Sequence, residues 1–291
     1  MKEKECRECL LKGKCVYSYV FETPPPTDTL VMRKYEAAPH PFVIEPPSGR
    51  KSVFKPGEEL VFGLTLVGRA VDYMPYFIYT FDELGKAGLG ADRGKYELKT
   101  VRSKAQTVKS EESGAGSEKQ GHDEGRVIYS SDTKMLVEFD TSVLDLPEGP
   151  LQATDAAPER LTLNFLTPTR IAYDGRLGLG LEFHIFIRNL LRRLSLLSYF
   201  HGNGKTLDLD FKGIIEMAKG IRAVDRGLRW YNWARYSGRQ ERRINMGGFV
   251  GKITFEGPLG PFMPFVKAGE VAHVGKGTVF GLGRYRITDM R

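Results

Sequence analysis

The sequence of 291 residues lacks long apolar runs, and it contains only three cysteines and five histidines. No apolar stretch approaches the ~20 residues that are needed to span a bilayer. The first residues, MKEKECRECLLKGKC, lack the apolar core of a secretory signal. These absences predict a cytoplasmic protein with no membrane-bound part. The chain is long enough for two domains with separate cores, since domains commonly contain ~100–200 residues.

Acidic residues are outnumbered by basic ones, which gives a net charge of +7 and a pI of about 9.2. The imbalance is concentrated between Lys219 and Lys252, where only Asp225 and Glu241 oppose nine cations. Such a segment favours a polyanionic partner. Four aromatic residues lie among these cations: Trp230, Tyr231, Trp233 and Tyr236. Aromatic rings can stack on bases while guanidinium groups bind phosphates, although in a strand the same rings could instead face a core.

The three cysteines, Cys6, Cys9 and Cys15, have the spacing C-x2-C-x5-C. Structural disulfides are not expected in a cytosolic chain. Closely spaced thiolates can hold zinc or an iron–sulfur cluster, but three ligands are one short of a closed site. The sequence leaves two interpretations open, an incomplete metal site and a segment with free thiols.

A glycine-rich stretch near the C-terminus, GEVAHVGKGTVFGLGRYRI, runs from Gly269 to Ile287. Glycine allows positive φ angles and a close approach of the backbone to a ligand. Successive N–H groups in such a run can form an anion-binding nest. The neighbouring cations, Lys276, Arg284 and Arg286, make phosphate the expected ligand. The alternative is a glycine-rich hairpin whose cations are only solvated.

This stretch, together with the upstream strand GFVGKITF over 248–255, resembles the CRISPR repeat-processing endoribonucleases of the RAMP superfamily. The resemblance is best over Leu161 to Ile287. It implies an α+β fold with tandem ferredoxin-like (RRM-like) domains and a C-terminal glycine-rich loop. It also implies metal-independent cleavage of CRISPR repeat RNA, without a cofactor, to a 2′,3′-cyclic phosphate and a 5′-hydroxyl. The competing class is a non-catalytic RNA-binding subunit of a CRISPR effector complex. A homodimer is a further candidate assembly.

The expected domains are an N-terminal cysteine-containing segment over 1–20, a ferredoxin-like domain over 21–150 and an RNA-binding ferredoxin-like domain over 159–291. Residues 103–125 are almost free of apolar side chains and are expected to form a flexible insertion. We predict a strand over 59–68, a helix over 73–84 capped by Asp72, and a strand over 160–165 that ends at Thr167-Pro168. Apolar residues at helical spacing predict a long helix over 181–200.

Cleavage of RNA without a metal requires a base, an acid and a cation that stabilises the phosphorane. Histidine suits proton transfer because its ordinary pKa is ~6.5. His40, His273 and His184 are the candidates. His184 shares one helical line with Arg188 and Arg192, which could also be a merely solvated face. The residues that we expect to bind RNA combine loop glycines and cations: Gly275, Lys276, Gly277, Gly281, Gly283, Arg284, Arg188, Arg192, Arg235, Arg239, Arg242 and Lys252.

Overall fold

The computed structural model describes residues 8–25, 29, 38–47, 51, 53–90, 92–104, 125–141, 146–147, 149, 158–202, 204, 206–237 and 241–291. The strands are β1 (Phe42–Glu45), β2 (Gly63–Leu66), β3 (Thr100–Ser103), β4 (Arg126–Ser130), β5 (Arg160–Thr169), β6 (Ala172–Tyr173), β7 (Arg176–Leu177), β8 (Arg222–Tyr231), β9 (Ala234–Ser237), β10 (Arg242–Asn245), β11 (Gly248–Glu256) and β12 (Tyr285–Met290). The α-helices are α1 (Met74–Ala87), α2 (Phe183–His201), α3 (Phe211–Lys219) and α4 (Met263–Ala272). Within these ranges no helix has the length and apolar character of a membrane span.

The C-terminal half is built on a four-stranded antiparallel sheet with the order β12-β5-β11-β8. Helices α2 and α3 connect β5 to β8, and α4 connects β11 to β12. This is the β-α-β-β-α-β arrangement of a ferredoxin-like domain, with the β9–β10 hairpin between its second and third strands. The predicted α+β class and the C-terminal ferredoxin-like domain are confirmed.

Two repeating patterns of apolar residues, alternation in β5 and helical spacing in α2, form the core of this domain. Leu161, Leu163 and Phe165 alternate along β5 and are buried on the face that α2 covers. In α2 the predicted apolar stripe is buried throughout: Phe183, Phe186, Ile187, Leu190, Leu194 and Leu197. The opposite face of the sheet carries polar residues, with Lys252 in register with Asn164 and Asn164 in register with Arg286.

Two local predictions are wrong. Strand β5 does not end at Thr167 but continues through Pro168 to Thr169, because the pairing with β11 shifts between Phe249 and Gly251. A proline is tolerated at such an irregularity, since no ladder hydrogen bond needs its missing N–H. Asp72 does not cap α1. It lies in a 3-10 turn over Gly68–Tyr73, and Tyr73 occupies the N-cap position without a side-chain hydrogen bond.

The chain divides into two compact units, Asp72–Asp145 and Met1–Val71 together with Leu146–Arg291. The smaller unit contains α1 and the antiparallel pair β3–β4. In the larger unit, β1 and β2 form a separate antiparallel pair. Most of the expected insertion over 103–125, and most of 146–158, lie outside the described residues. The expected domain boundaries therefore stay a prediction.

Candidate nucleic-acid interface and active site

The glycine-rich loop, residues 275–283, connects α4 to β12. Its four glycines, Gly275, Gly277, Gly281 and Gly283, all have positive φ angles between 73° and 87°. A side chain at these positions would also meet protein atoms: a Cβ on Gly275 would lie 2.7 Å from the Arg170 carbonyl oxygen, and one on Gly281 would lie 2.7 Å from that of Ile44. The glycines are therefore required to fold the loop tightly against β1 and the end of β5.

Backbone and side-chain hydrogen bonds hold the loop on the end of β5. The Lys276 amide donates to the carbonyl of Arg170 at 3.0 Å, and the Gly283 amide donates to that of Pro168 at 3.2 Å. The hydroxyl of Thr167 donates to the Gly281 carbonyl at 2.8 Å and accepts from the Arg284 amide at 2.9 Å. These contacts occupy several loop amides internally and present the Lys276 side chain, which is exposed, to solvent.

A network of three side chains connects the loop to β1. The carboxylate of Glu45 contacts His273 Nε2 at 3.1 Å and Arg284 Nη1 at 3.2 Å. Burial raises the pKa of Glu45, but the hydrogen bond from His273 and the positive charges of Arg284, His273 and Arg286 outweigh it and lower the pKa overall. His273 Nδ1 faces the Leu282 carbonyl at 3.1 Å. Both ring nitrogens of His273 therefore lie within hydrogen-bond distance of an oxygen atom inside the protein.

His273 is fully buried and has a positive φ of 60°. A non-glycine residue is held in that conformation only where its surroundings fix it. This geometry is typical of a residue that supports the loop. Arg284 also contacts the Glu45 carboxylate and so belongs to the same network. Their predicted roles in catalysis and RNA binding stay predictions. Glu45 is a residue that sequence reasoning missed, because its partners lie more than 220 positions away.

Cationic and aromatic side chains surround the loop. The guanidinium of Arg235, in β9, lies 4.1 Å from the ring centroid of Phe280 in the loop. Arg170 follows β5 and donates from Nη1 to Met246 Sδ at 3.4 Å. The Nε atoms of both arginines are buried, and neither has a hydrogen-bond partner among the described residues. We name this group of side chains, Arg170, Arg235, Lys276 and Phe280, the loop patch. Arg170 was not among the predicted RNA-binding residues, because the sequence indicated only that the strand ends near this position.

The β9–β10 hairpin extends from the loop patch. Arg242, in β10, and Lys252, in β11, are exposed, and Arg239 lies outside the described residues. The four aromatic residues of the basic segment are all exposed: Trp230, Tyr231, Trp233 and Tyr236. The alternative in which they face a core is therefore wrong. The structure brings the basic segment and the glycine-rich loop to one surface through the contact of Arg235 with Phe280.

Replacing Arg235, Arg239 and Arg242 together with alanine is expected to weaken RNA binding and to flatten its salt dependence. Each lost contact to single-stranded RNA removes ~0.7 from the slope of log K against log salt, so the slope should fall by about 2. The measurement is a titration by fluorescence anisotropy at several salt concentrations. The matched control replaces the exposed Lys86, Lys99 and Lys134, on the smaller unit, with alanine. Equal slopes for the two triple variants would contradict the prediction.

His40 lies two residues before β1, in a half-buried position. Its Nδ1 is 3.0 Å from the hydroxyl oxygen of Thr23, which donates its only hydrogen to the Ala38 carbonyl at 3.0 Å. With the Thr23 hydrogen placed on the Ala38 carbonyl, Nδ1 donates to Thr23, and Nε2 is then the unprotonated nitrogen of neutral His40. Burial lowers the pKa of His40, while the Val20 carbonyl and the charge of Glu22 raise it and the charge of Arg193 lowers it further. The imidazole is thus neutral and can accept a proton at Nε2 near neutral pH.

Two residues of α2 that were not among the candidates lie close to His40. His201 Nε2 is 2.6 Å from the carbonyl of Pro39, and its Nδ1 is 3.1 Å from the Tyr19 hydroxyl. Burial lowers the pKa of His201 to about 4, so it is neutral and holds the peptide that precedes His40. Arg193 donates from Nε to the Ala272 carbonyl at 2.6 Å. The helical period alone could have placed both on one line of α2, because 193, 197 and 201 are four residues apart.

The third histidine candidate has a different environment. His184 is half-buried on α2, with its ring 5.9 Å from that of Tyr173, and Arg188 lies 6.0 Å from the same ring. Burial lowers the pKa of His184 more than the charge of Glu182 raises it. Arg192 is exposed on the same helix. The structure does not connect these residues to the loop patch through any contact among the described residues.

The metal prediction concerns three cysteines, of which Cys6 lies outside the described residues. Cys9 and Cys15 are half-buried free thiols. Among the residues that the structure describes, no three side chains of His, Cys, Asp or Glu form a metal-binding group. A zinc or iron–sulfur site that includes Cys6 stays a prediction.

Residues 163–285 match the family model of the CRISPR-associated endoribonuclease Cas6, and residues 1–124 match that of an N-terminal domain, AF_1859_N. The comparison with curated proteins gives no match. Among solved structures, the Cas6 (TTHB231) product complex is 18% identical, with 88% of this chain and 86% of that chain covered and a TM-score of 0.48. The Cas6 (TTHA0078) product complex is 17% identical, with 86% and 83% covered and a TM-score of 0.46. The alignment with Thermus thermophilus Cas6 (TTHB231), at 20% identity, covers 45% of this chain and 54% of that chain, with a TM-score of 0.35.

The sheet order and the loop that precedes β12 define the C-terminal half as a ferredoxin-like domain with a glycine-rich loop. The family match covers this domain from β5 to the start of β12. The match of residues 163–285 to the Cas6 endoribonuclease family confirms the resemblance seen in the sequence.

Proposed function

We propose that this protein binds CRISPR repeat RNA and cleaves the precursor transcript without a metal, giving a 2′,3′-cyclic phosphate and a 5′-hydroxyl. The observation that carries the proposal is the match of residues 163–285 to the Cas6 endoribonuclease family, which includes the whole glycine-rich loop. The loop patch and the exposed aromatic side chains of the β8–β10 region supply the RNA surface. Guanidinium groups and Lys276 bind phosphates there, and the aromatic rings stack on bases.

In this proposal His40 is the general base. Its Nδ1–H is fixed by Thr23, so Nε2 takes the proton from the 2′-hydroxyl of the nucleotide before the scissile bond. The 2′-oxygen bonds to phosphorus as the bond from phosphorus to the 5′-oxygen breaks. The leaving 5′-oxygen takes a proton from water, and His40 returns its proton to the hydroxide so formed. His273 is not used, because both of its nitrogens are engaged inside the protein.

Strand β1 sets the distance between the proposed base, His40, and the RNA surface at the glycine-rich loop. Glu45, at the end of β1, contacts the glycine-rich loop, and His40 lies five residues earlier. Extended backbone rises ~3.3 Å per residue, so the two Cα atoms are at most about 16 Å apart. A single RNA strand of a few nucleotides can cover that distance. The loop would then hold RNA on one side of the scissile phosphate.

The test is single-turnover cleavage of a repeat RNA by excess protein in EDTA. We expect one product with a 5′-hydroxyl and one whose 3′ end cannot be ligated until the cyclic phosphate is opened and the resulting phosphate is removed. A 2′-deoxy substitution at the scissile nucleotide should abolish cleavage but not binding. Tight binding of repeat RNA with no cleavage would instead support the alternative function, a non-catalytic RNA-binding subunit of an effector complex. Cleavage only after added divalent metal would contradict the metal-independent chemistry.

A further inference from the structure

Arg193 is a half-buried cation, and among the described residues one of its guanidinium nitrogens, Nη2, is buried without a partner. Its Nε donates to the carbonyl of Ala272, but its Nη2 is buried and has no hydrogen-bond partner. In the part of the chain that the structure describes, no carboxylate forms an ion pair with it. Burial lowers the pKa of Arg193 to about 10, so the guanidinium still carries its charge at neutral pH. A buried charged donor without an acceptor is costly, and a catalytic role or a bound ion or water is among the reasons for which such a group persists.

The position of Arg193 relates it to His40. Arg193, Leu197 and His201 follow one another at steps of four residues and lie on the same side of α2. His201, at the end of this row, donates to the carbonyl of Pro39, directly before His40. The charge of Arg193 acts on both His40 and His201. This side of α2 therefore faces the segment that carries His40, with Arg193 and His40 in one neighbourhood.

Neither Arg193 nor His40 is completely buried. Arg193 and His40 are each only half-buried as whole residues, although the Nη2 atom of Arg193 is covered. Part of the Arg193 side chain is therefore accessible, whereas its Nη2 atom is covered. The carbonyl of Ala272 fixes its guanidinium by a single hydrogen bond, which leaves the remaining N–H groups for a planar, doubly hydrogen-bonded contact.

We infer that Arg193 binds the scissile phosphate of the RNA beside His40 and stabilises the negative charge that develops on it. The inference rests on the proposed function and adds a catalytic residue to it. As the 2′-oxygen bonds to phosphorus, charge accumulates on the non-bridging oxygens, and Arg193 donates its free N–H groups to them. The same oxygens then retain the single charge of the cyclic phosphate. A fixed cation beside such a charge stabilises it more in a site that excludes water than in bulk water.

The competing explanation is that Arg193 only supports the end of α4 through the Ala272 carbonyl. The two explanations predict different cleavage rates for variants of Arg193. Arg193→Gln can keep a hydrogen bond to the carbonyl but removes the charge, and Arg193→Lys keeps the charge but loses the paired N–H groups. Lys267→Gln, on the exposed face of α4, is the matched control for a lost positive charge.

We expect Arg193→Gln to lower the saturated single-turnover rate by about 10²–10³-fold, a loss typical of removing one group that stabilises transition-state charge. Its melting temperature should stay the same or rise, and its RNA dissociation constant should rise by a much smaller factor than the rate falls, because most of the charge on the phosphate oxygens develops in the transition state. Arg193→Lys should recover part of the rate, and Lys267→Gln should cleave like the wild type. A saturated rate within about threefold of the wild type in folded Arg193→Gln would overturn the inference.

The pH profile gives a readout that a merely supporting role would not change. The charged and titratable groups around His40 are Glu22, Arg193 and His201, with Arg69 acting on His201. Removing the positive charge of Arg193 raises the pKa of His40. The acid limb of the cleavage rate should therefore move to higher pH in Arg193→Gln and stay in place in Lys267→Gln. An unmoved acid limb would count against the inference.

Titration of the RNA-free wild type with inorganic phosphate tests the site without cleavage, and also if Arg193→Gln fails to fold. The imidazole signal of His40 in proton NMR should shift with saturable dependence on phosphate, and that of His184 should not. No saturable shift would overturn the inference. A wild type that shows this shift but does not cleave repeat RNA would refute the proposed function and leave the anion site standing.

Discussion

His40→Gln is expected to lower the saturated rate of RNA cleavage by about 10²–10⁴-fold, the range that general acid–base catalysis contributes. Glutamine is polar and similar in size to histidine, so the local structure should persist, but its amide cannot accept the 2′-hydroxyl proton. The RNA dissociation constant should change little, because the loop patch is untouched. The measurement combines single-turnover kinetics with equilibrium binding of an uncleavable 2′-deoxy RNA.

The matched comparison for this prediction is His184→Gln, the same substitution at a half-buried histidine of α2. We expect a much smaller effect there. The wild-type rate should also remain high below pH 6.5, because the pKa of His40 is lowered from that ordinary value, and it should fall only as His40 becomes protonated. Equal losses in the two variants, or an acid limb above pH 6.5, would remove His40 from the mechanism.

Glu45→Ala is expected to lower the free energy of unfolding by about 1–3 kcal/mol, because it leaves the N–H groups of His273 and Arg284 without their acceptor. RNA binding should also weaken, since Glu45 holds the glycine-rich loop on β1. Glu45→Gln keeps one acceptor and should lose less. Urea denaturation and anisotropy titrations measure the two effects. Glu58→Ala, which removes an exposed glutamate paired with Lys51, is the control and should change neither.

The contribution of Glu45 has a defined dependence on pH. Its pKa is lower in the folded protein than the ordinary 4.5, so the carboxylate stabilises the fold above that value. The stabilisation is lost as the pH falls through the folded pKa. The difference in unfolding free energy between the wild type and Glu45→Gln should therefore be constant above about pH 5.5 and shrink below about pH 4.5. A difference that grows on acidification would show that the network is not held by an ionised Glu45.

The elements that sequence alone predicted well are those with a strong local period or a strict backbone requirement. The apolar stripe of α2 predicted both the helix and its buried face, because six residues repeat at helical spacing. The alternation of Leu161, Leu163 and Phe165 predicted the start of β5. The four loop glycines predicted positive φ angles, and each has one. Pro168 misled the prediction of where β5 ends, since whether a proline breaks a strand depends on its pairing partners.

The amino-acid sequence by itself determined the α+β class, the glycine-rich loop, the basic surface and the family resemblance, because each depends on residues that are near one another along the chain. Only the tertiary structure decided what those residues do. In the folded chain, His273 and Arg284 both contact the carboxylate of Glu45, and the loop glycines pack against β1 and the end of β5. It also placed Arg193 and His201 of α2 near His40, more than 150 residues earlier. Contacts of that separation form only when the core closes, and no local pattern encodes them.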